Sequence, residues 1–482
     1  MKKFSFTGIQ LPHVFALLFG VILFCSALSY IIPSGTFSRA ERQVGTMTRT
    51  VVIPGSYVHM EKVYSITGVF VPVEVEGKAA PVSLTQFFSA IPRGLEKTAD
   101  IIFLIFLIGG VFGILQRTGT ITAVLHALLT RYASSGPLLT IILMLGISVS
   151  GSTLGMGEEF IPLVPVFLYV ARELGYDRIY GLALVMVAAD IGFAASTTNP
   201  FTVQIAQGIA EVPIGSDIGF RVIFYLTCMA ITIGYMLWYG RKIKRNPERS
   251  IMGNEDFHIK GLGEIHSTLH RYHIWTVAIC GALFVGIIYA VQAKGWWLAE
   301  MSGGFLLMGI VAAILARLSV KETTTAFIKG MEEMVVAALV VGFAKGIQVV
   351  MEDGQIMDTL IQHASMTLNG LPRIVAAEGM LVFQTTLNFF IPSGSGQAAT
   401  TMPLMAPLAD LIGITRQAAV FAFTCGDGFS NTIIPTSGVL MAMLALADIP
   451  YVKWLRFMVP LFLMLMVASA IFLAVAVVYP MN

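Results

Sequence analysis

Charge is what this sequence has least of: only 12 % of its 482 residues are Asp, Glu, Lys or Arg, and their near balance of +2 gives no footing for a nucleic-acid partner. Cysteine is equally scarce. The four (Cys25, Cys228, Cys280, Cys425) all fall in apolar stretches, which points away from a disulfide framework or a thiolate metal site. Histidines gather in one polar stretch (His258, His266, His270, His273), yet no Cys or carboxylate pattern completes a zinc set there. There is no phosphate loop to drive a primary pump and no Gly-x-Ser-Gly serine motif. Where an intramembrane aspartyl protease shows Gly-x-Gly-Asp, this chain has Thr424-Cys425-Gly426-Asp427, so an enzyme is not expected.

What is abundant is hydrophobicity, at 56 % of residues, in runs that recur along the whole chain. A bilayer-spanning helix needs about 20 apolar residues. Candidates are Leu11–Ile32, Ile101–Leu115, Leu138–Ser150, Ile179–Ala195, Ile218–Tyr239 and His273–Ala293. They continue with Gly303–Leu318, Met334–Met351, Ile374–Ile391, Gln417–Cys425, Ile433–Ala447 and Trp454–Tyr479, and several are too short to span as straight helices. Leu11–Ile32 lacks a small-residue cleavage site and reads as a first spanning helix with a cytoplasmic amino terminus.

Two segments are polar enough to leave the membrane, Ser34–Asp100 and Arg241–Tyr272. Lys and Arg crowd the second, whereas in the first they are spread over about twice the length and offset by glutamates, so the positive-inside rule places the first outside. The outer segment carries strand-like runs, Arg49–Ile53 and Gly68–Val75, and an amphipathic piece, Leu84–Leu95, expected along the membrane surface.

The flanks of the middle segment resemble each other. Ile108-Gly109-Gly110-Val111-Phe112-Gly113-Ile114 resembles Val341-Gly342-Phe343-Ala344-Lys345-Gly346-Ile347. Gly151-Ser152-Thr153-Leu154-Gly155-Met156-Gly157 resembles Pro392-Ser393-Gly394-Ser395-Gly396-Gln397-Ala398. Asp190–Pro200 resembles Asp427–Thr436, and all three pairs keep the same order at an offset of about 235 residues. The division expected is a first helix and outer loop (1–100), a first repeat (101–240), a cytoplasmic linker (241–272), scaffold helices (273–325) and a second repeat (326–482). Each repeat offers a re-entrant hairpin tip (Gly151–Gly157; Pro392–Gln397) and a broken helix (Ala194–Pro200; Ser430–Ser437). Unpaired backbone at membrane depth costs several kcal/mol per group, so such breaks line water or protein and suit a binding site.

Charges inside apolar runs are functional candidates by default: Glu158, Glu159, Asp190, Asp427 and Lys345. Glu158 and Glu159 are adjacent, so one of the two is expected to face the site. Lys345 reads equally as a counter-ion to a carboxylate or as a substrate contact. A net acidic cavity attracts a cation, while hydroxyls and amides (Ser152, Thr153, Thr198, Asn199, Ser393, Ser395, Gln397, Thr400, Asn431, Thr432, Thr436) hold a carboxylate by hydrogen bonds.

These motifs, with Leu11-Pro12-His13, Tyr30-Ile31-Ile32-Pro33-Ser34-Gly35, Ile91-Pro92-Arg93-Gly94-Leu95, Gly155-Met156-Gly157-Glu158-Glu159 and Ile391–Gln397, resemble the YfcC family of basic amino acid antiporters, relatives of the anaerobic C4-dicarboxylate carriers. The resemblance covers nearly the whole chain. It implies an all-α polytopic membrane protein of the ion transporter superfamily fold, with two inverted repeats, a transport domain, a dimerising scaffold and alternating access, in a bacterial cytoplasmic membrane. Relatives of the fold bind carboxylate and Na⁺ through Ser-Asn-Thr signatures. Ser430-Asn431-Thr432 matches by residue type, whereas Ser196-Thr197-Thr198-Asn199 departs from it. Two functions stay open: exchange of basic amino acids, and Na⁺-coupled carboxylate transport. Na⁺ or H⁺ is the candidate coupling ion, and no resident cofactor is expected.

Overall fold

The computed structural model describes residues 14–44, 47–124, 127, 135–253 and 270–479; His258, His266 and the start of the Leu11 run lie outside these. The chain opens with α1 (Val14–Leu28), followed by β1 (Ser34–Thr36), β2 (Arg39–Val44), β3 (Met47–Val52) and β4 (Val58–Met60). β1 pairs with β4 and β2 with β3, both antiparallel, so the strand expected at Arg49–Ile53 is present as β3. The strand expected at Gly68–Val75 is not. Ser65 accepts a hydrogen bond from the Gly68 N–H at 2.9 Å and starts a short helix, α2 (Ile66–Phe70). A local cap there outweighs the β preference of the valines.

The first repeat comprises α3 (Leu84–Lys97), α4 (Ala99–Arg117), α5 (Gly136–Leu154), a 3₁₀ turn (Glu158–Leu163), α6 (Val164–Glu173), α7 (Arg178–Ala194), α8 (Val203–Ile209) and α9 (Ile218–Arg245). Two helices follow, α10 (Arg271–Lys294) and α11 (Leu298–Leu315). The second repeat is α12 (Val320–Glu333), α13 (Val335–Asp353), α14 (Met357–Leu368), α15 (Arg373–Asn388), α16 (Gly394–Ile412), α17 (Arg416–Ser430), α18 (Gly438–Ala447) and α19 (Tyr451–Val478). Seven of the described helices are long and apolar enough to cross a membrane.

Packing partners match repeat by repeat. α3 lies on α13 as α12 lies on α4; α5 and α6 flank α7 as α15 and α16 flank α17; α8 reaches α16 as α18 reaches α6. The correspondence therefore begins at Leu84 and Val320, earlier than residues 101 and 326. It also gives Leu84–Leu95 a packing partner within the fold. α3 buries Phe87, Ala90 and Gly94 and leads through Thr98 into α4. Its amphipathicity comes from facing a neighbouring helix. A Cβ on Gly94 would collide with the Gly342 carbonyl, and one on Gly330 with the Gly109 carbonyl, so the two crossings are the same close approach made twice.

The repeats run in opposite directions. Arg93 donates to both oxygens of Asp353 at 2.6 and 2.9 Å, on the face that carries the β-strands, where Ser34 also donates to the Gly354 carbonyl at 2.7 Å. Arg117, at the other end of α4, meets Glu322 at the start of α12 at 2.8 Å. The first of these faces is called the loop face below. The second is the linker face, since α9 ends there and Ser250 donates to Asp177 at 2.7 Å.

Both hairpins are re-entrant. Gly136, which starts α5, sits beside Leu174 and Tyr176 just past the end of α6, so α5 enters and α6 returns at the linker face. Gly413, after α16, sits against the Arg373 guanidinium at the start of α15, and this hairpin opens at the loop face. The tips fall slightly later and earlier than expected, at residues 155–163 and 389–393, because Gly151–Leu154 and Gly394–Gln397 remain helical.

Candidate functional site

The two tips and the two helix breaks meet around a cavity of about 230 Å³. That is below the 300–1,000 Å³ typical of sites for drug-sized ligands and suits a solute of amino-acid size. One wall is α4 and α13, through Thr98, Ile101, Val341, Ala344, Lys345 and Gln348. The opposite wall brings together the first tip (Gly155, Gly157, Glu158, Glu159), Asp190, the second tip (Pro392–Ser395) and the second break (Asn431, Thr436–Gly438).

Charge in the cavity is lopsided. Glu158, Glu159 and Asp190 face one ammonium, Lys345. Both glutamates line the cavity, rather than one of them, since they open the 3₁₀ turn at the tip, and the tip itself, with Gly155 and Gly157, borders the cavity. Glu159 also accepts from the Gly157 N–H at 2.9 Å, which holds the turn at the tip. Asp190 has no ion-pair partner among the described residues. Lys345 forms no ion pair with these three carboxylates among the described residues: it donates to Gln348 at 2.6 Å, one turn along its own helix, and Gln348 in turn donates to Glu352 at 2.8 Å.

The opposite sign comes from backbone. α16 begins at Gly394 behind its cap Ser393, and α18 begins at Gly438 behind its cap Ser437, and all four residues line the cavity. Helix N-termini present unsatisfied N–H groups and a partial positive charge, which suit a carboxylate. Thr436 adds a buried hydroxyl with no hydrogen-bond partner among the described residues.

Several expected site residues face elsewhere. Ser152 is buried and latches the first hairpin to the first break, accepting from the Thr197 N–H at 3.1 Å, while its carbonyl accepts from the N–H of Thr197 and of Thr198. Thr153 donates to the Val149 carbonyl, and the Thr198 hydroxyl reaches the Thr153 carbonyl at 3.4 Å. Asn199 is fully buried against Gly155 and accepts from the Phe201 N–H at 2.8 Å. Gln397 points into the second hairpin, donating to the Gln384 side chain at 2.7 Å, and Thr400 donates to the Gly396 carbonyl. Thr432 donates to the Phe429 carbonyl at 2.7 Å. Of the Ser430-Asn431-Thr432 signature only Asn431 reaches the cavity. Asp427 lies one layer behind, 0 % exposed, with both carboxylate oxygens unpartnered among the described residues and one of them 3.2 Å from where a Gly394 Cβ would stand.

Aromatic residues complete the site. Phe193, Phe201 and Trp297 line the cavity; Phe201 packs on Trp297 with ring centroids 4.6 Å apart, and the Arg49 guanidinium of β3 lies 5.1 Å from the indole centroid. The bulky residues beside Pro200 and the Trp296-Trp297 pair carried the only sequence signal for this feature.

A polar cavity at the meeting point of two re-entrant hairpins and two broken helices, inside a multi-pass membrane protein, defines a transporter and not an enzyme. The chain belongs to the C4-dicarboxylate anaerobic carrier family, whose profile matches residues 11–478. It is 33 % identical over 96 % of its length, and 95 % of the relative, to the Escherichia coli protein YfcC, provisionally named a basic amino acid antiporter. It is 30 % identical over 99 % of its length to an uncharacterized protein of Haemophilus influenzae, covering 98 % of that protein. Among solved structures it is similar to the Alcanivorax borkumensis YdaH transporter, at 18 % identity and TM-score 0.45, covering 97 % of this chain and 99 % of that one.

Proposed function

We propose that the chain is a secondary exchanger of basic amino acids such as arginine, ornithine and lysine across the bacterial cytoplasmic membrane. The observation that carries this reading is the excess of carboxylates over cations in a cavity that two helix N-termini also line. A substrate with an α-carboxylate and an extra positive charge satisfies both: the carboxylate at the caps Ser393 and Ser437, the cationic end at Glu158, Glu159 and Asp190. The provisional name of YfcC supports the same class. The linker face is cytoplasmic by its Lys and Arg density. The hairpins and broken helices act as the transport domain, moving against a scaffold of α1, α3, α4 and α10–α13 that pairs with a second copy. Asp427, buried and unpartnered, is the candidate for carrying the coupling H⁺ or Na⁺.

Lys345 favours a second reading, Na⁺-coupled carboxylate transport, because its ammonium lines the cavity without a carboxylate partner and the family is described by C4-dicarboxylates. Competition for uptake separates the two. Unlabelled arginine, not succinate, is expected to block labelled arginine entry, and Asp190→Asn is expected to abolish it. Unchanged uptake in both Asp190→Asn and Asp427→Asn would sink the exchanger reading.

A further inference from the structure

The two glycine crossings are alike in backbone and unlike in charge. On the loop face, Arg93 and Lys97 of α3 are both paired, with Asp353 and with Glu352 at 2.6 Å. Their counterparts on α12, one helical position for another about the glycines Gly94 and Gly330, are Lys329 and Glu333. Neither side chain has an ion pair or hydrogen bond among the described residues. Here the clamp is Arg117–Glu322 at 2.8 Å, nearer the end of the helices, and beside it a groove of about 520 Å³ between α4 and α12 opens at the linker face, lined also by Gln116, Lys321, Thr325, Lys329 and Glu333.

The groove does not end blindly. Gly113, Gln116, Gly330 and Glu333 also line a constriction of about 30 Å³, whose other side is Pro162, Pro165 and Val166 of the first hairpin. Pro162 belongs to the same 3₁₀ turn as Glu158 and Glu159, so the constriction separates the groove from the acidic wall of the main cavity. About one water fits there, which closes the route to any amino acid in this state.

We infer that the groove is a second amino acid site, a vestibule on the linker face in which Glu333 takes the cationic group and Lys329 the carboxylate of a zwitterionic substrate. The two side chains stand one turn apart on α12, where Lys329 is the cation that acts on Glu333, and a short zwitterion that bridges them takes the place of that mutual attraction. Substrate held there lies next to the first hairpin and enters the main cavity when that hairpin moves. The choice of arginine as probe rests on the exchanger reading.

The test uses purified full-length protein carrying Thr325→Cys, an exposed position in the groove; the four native cysteines are buried. Labelling by a quaternary-ammonium thiol reagent from the linker face is expected to slow about tenfold or more with saturating arginine. Adding Glu333→Gln is expected to remove the protection, and Lys329→Gln to weaken it. Labelling that arginine leaves unchanged would overturn the inference, as would protection that survives Glu333→Gln. Arginine transport by the wild-type chain, measured in parallel, reads the exchanger assignment separately. Protection without transport keeps the vestibule and removes the exchanger; transport without protection does the reverse.

Discussion

Phe201 and Trp297 meet ring to ring, with centroids 4.6 Å apart, at the edge of the cavity where the first broken helix comes up against the start of α11. One residue follows the first helix break and the other caps α11, so under the proposed transport motion this contact would form and part.

Trp297→Ala removes this cover and the seat of Arg49. A thiol placed in the cavity by Ser395→Cys is expected to react with a water-soluble reagent about tenfold faster in the Trp297→Ala background. An unchanged rate would mean that solvent reaches the cavity by another route.

The expectations from sequence held where a residue pattern carries a backbone requirement. Gly109, Gly113, Gly342 and Gly346 repeat because helices cross closely there, and Pro392-Ser393 ends one arm of a hairpin because a cap must follow. They failed where side-chain direction decides. Ser152, Gln397 and Thr432 are polar and sit near breaks, but each is consumed by a neighbouring backbone or amide group, and one sequence carries no record of that partner. The sequence pairs Lys345 with the carboxylates as readily as with substrate, yet its hydrogen bond goes to an amide three residues along the same helix. Trp297 is 96 residues from Phe201 in sequence, and only the fold brings them together.

Gly330→Leu tests the crossing itself. Overfilling a packed contact costs on the order of 1–3 kcal/mol, and here the obstacle is backbone that a rotamer change cannot relieve. The detergent-solubilised variant is expected to melt several degrees lower, whereas Gly303→Ala, with open space around it, should melt within about a degree of wild type. Equal melting of the two would remove the argument for a required close approach.

Glu211 ties the loop to the helices by meeting both Arg42 of β2 and Arg416 of α17. Those guanidinium hydrogen bonds hold its carboxyl below the ordinary 4.5. The folded value is the lower one, so the tie is fully present above the unfolded value and is lost as pH falls through the folded value. Cleavage of the loop by an acid-active protease should therefore rise in wild type only once the pH has fallen below the ordinary carboxyl value of 4.5. In Glu211→Gln it should be high already at pH 6, and a pH-independent wild type would contradict the assignment.

Lys345 separates the two transport readings. Under exchange of cations its ammonium opposes the substrate, so Lys345→Gln is expected to lower the half-saturating arginine concentration by about threefold or more, a change of roughly 0.7 kcal/mol. Loss of succinate uptake with arginine unaffected would favour the carboxylate carrier.

The most direct measurement is uptake of labelled arginine into proteoliposomes loaded with ornithine, lysine, succinate or buffer, with and without a Na⁺ gradient. The exchanger predicts strong stimulation by internal ornithine or lysine and none by succinate. Arginine uptake absent under every loading, with succinate uptake driven by Na⁺, would contradict it.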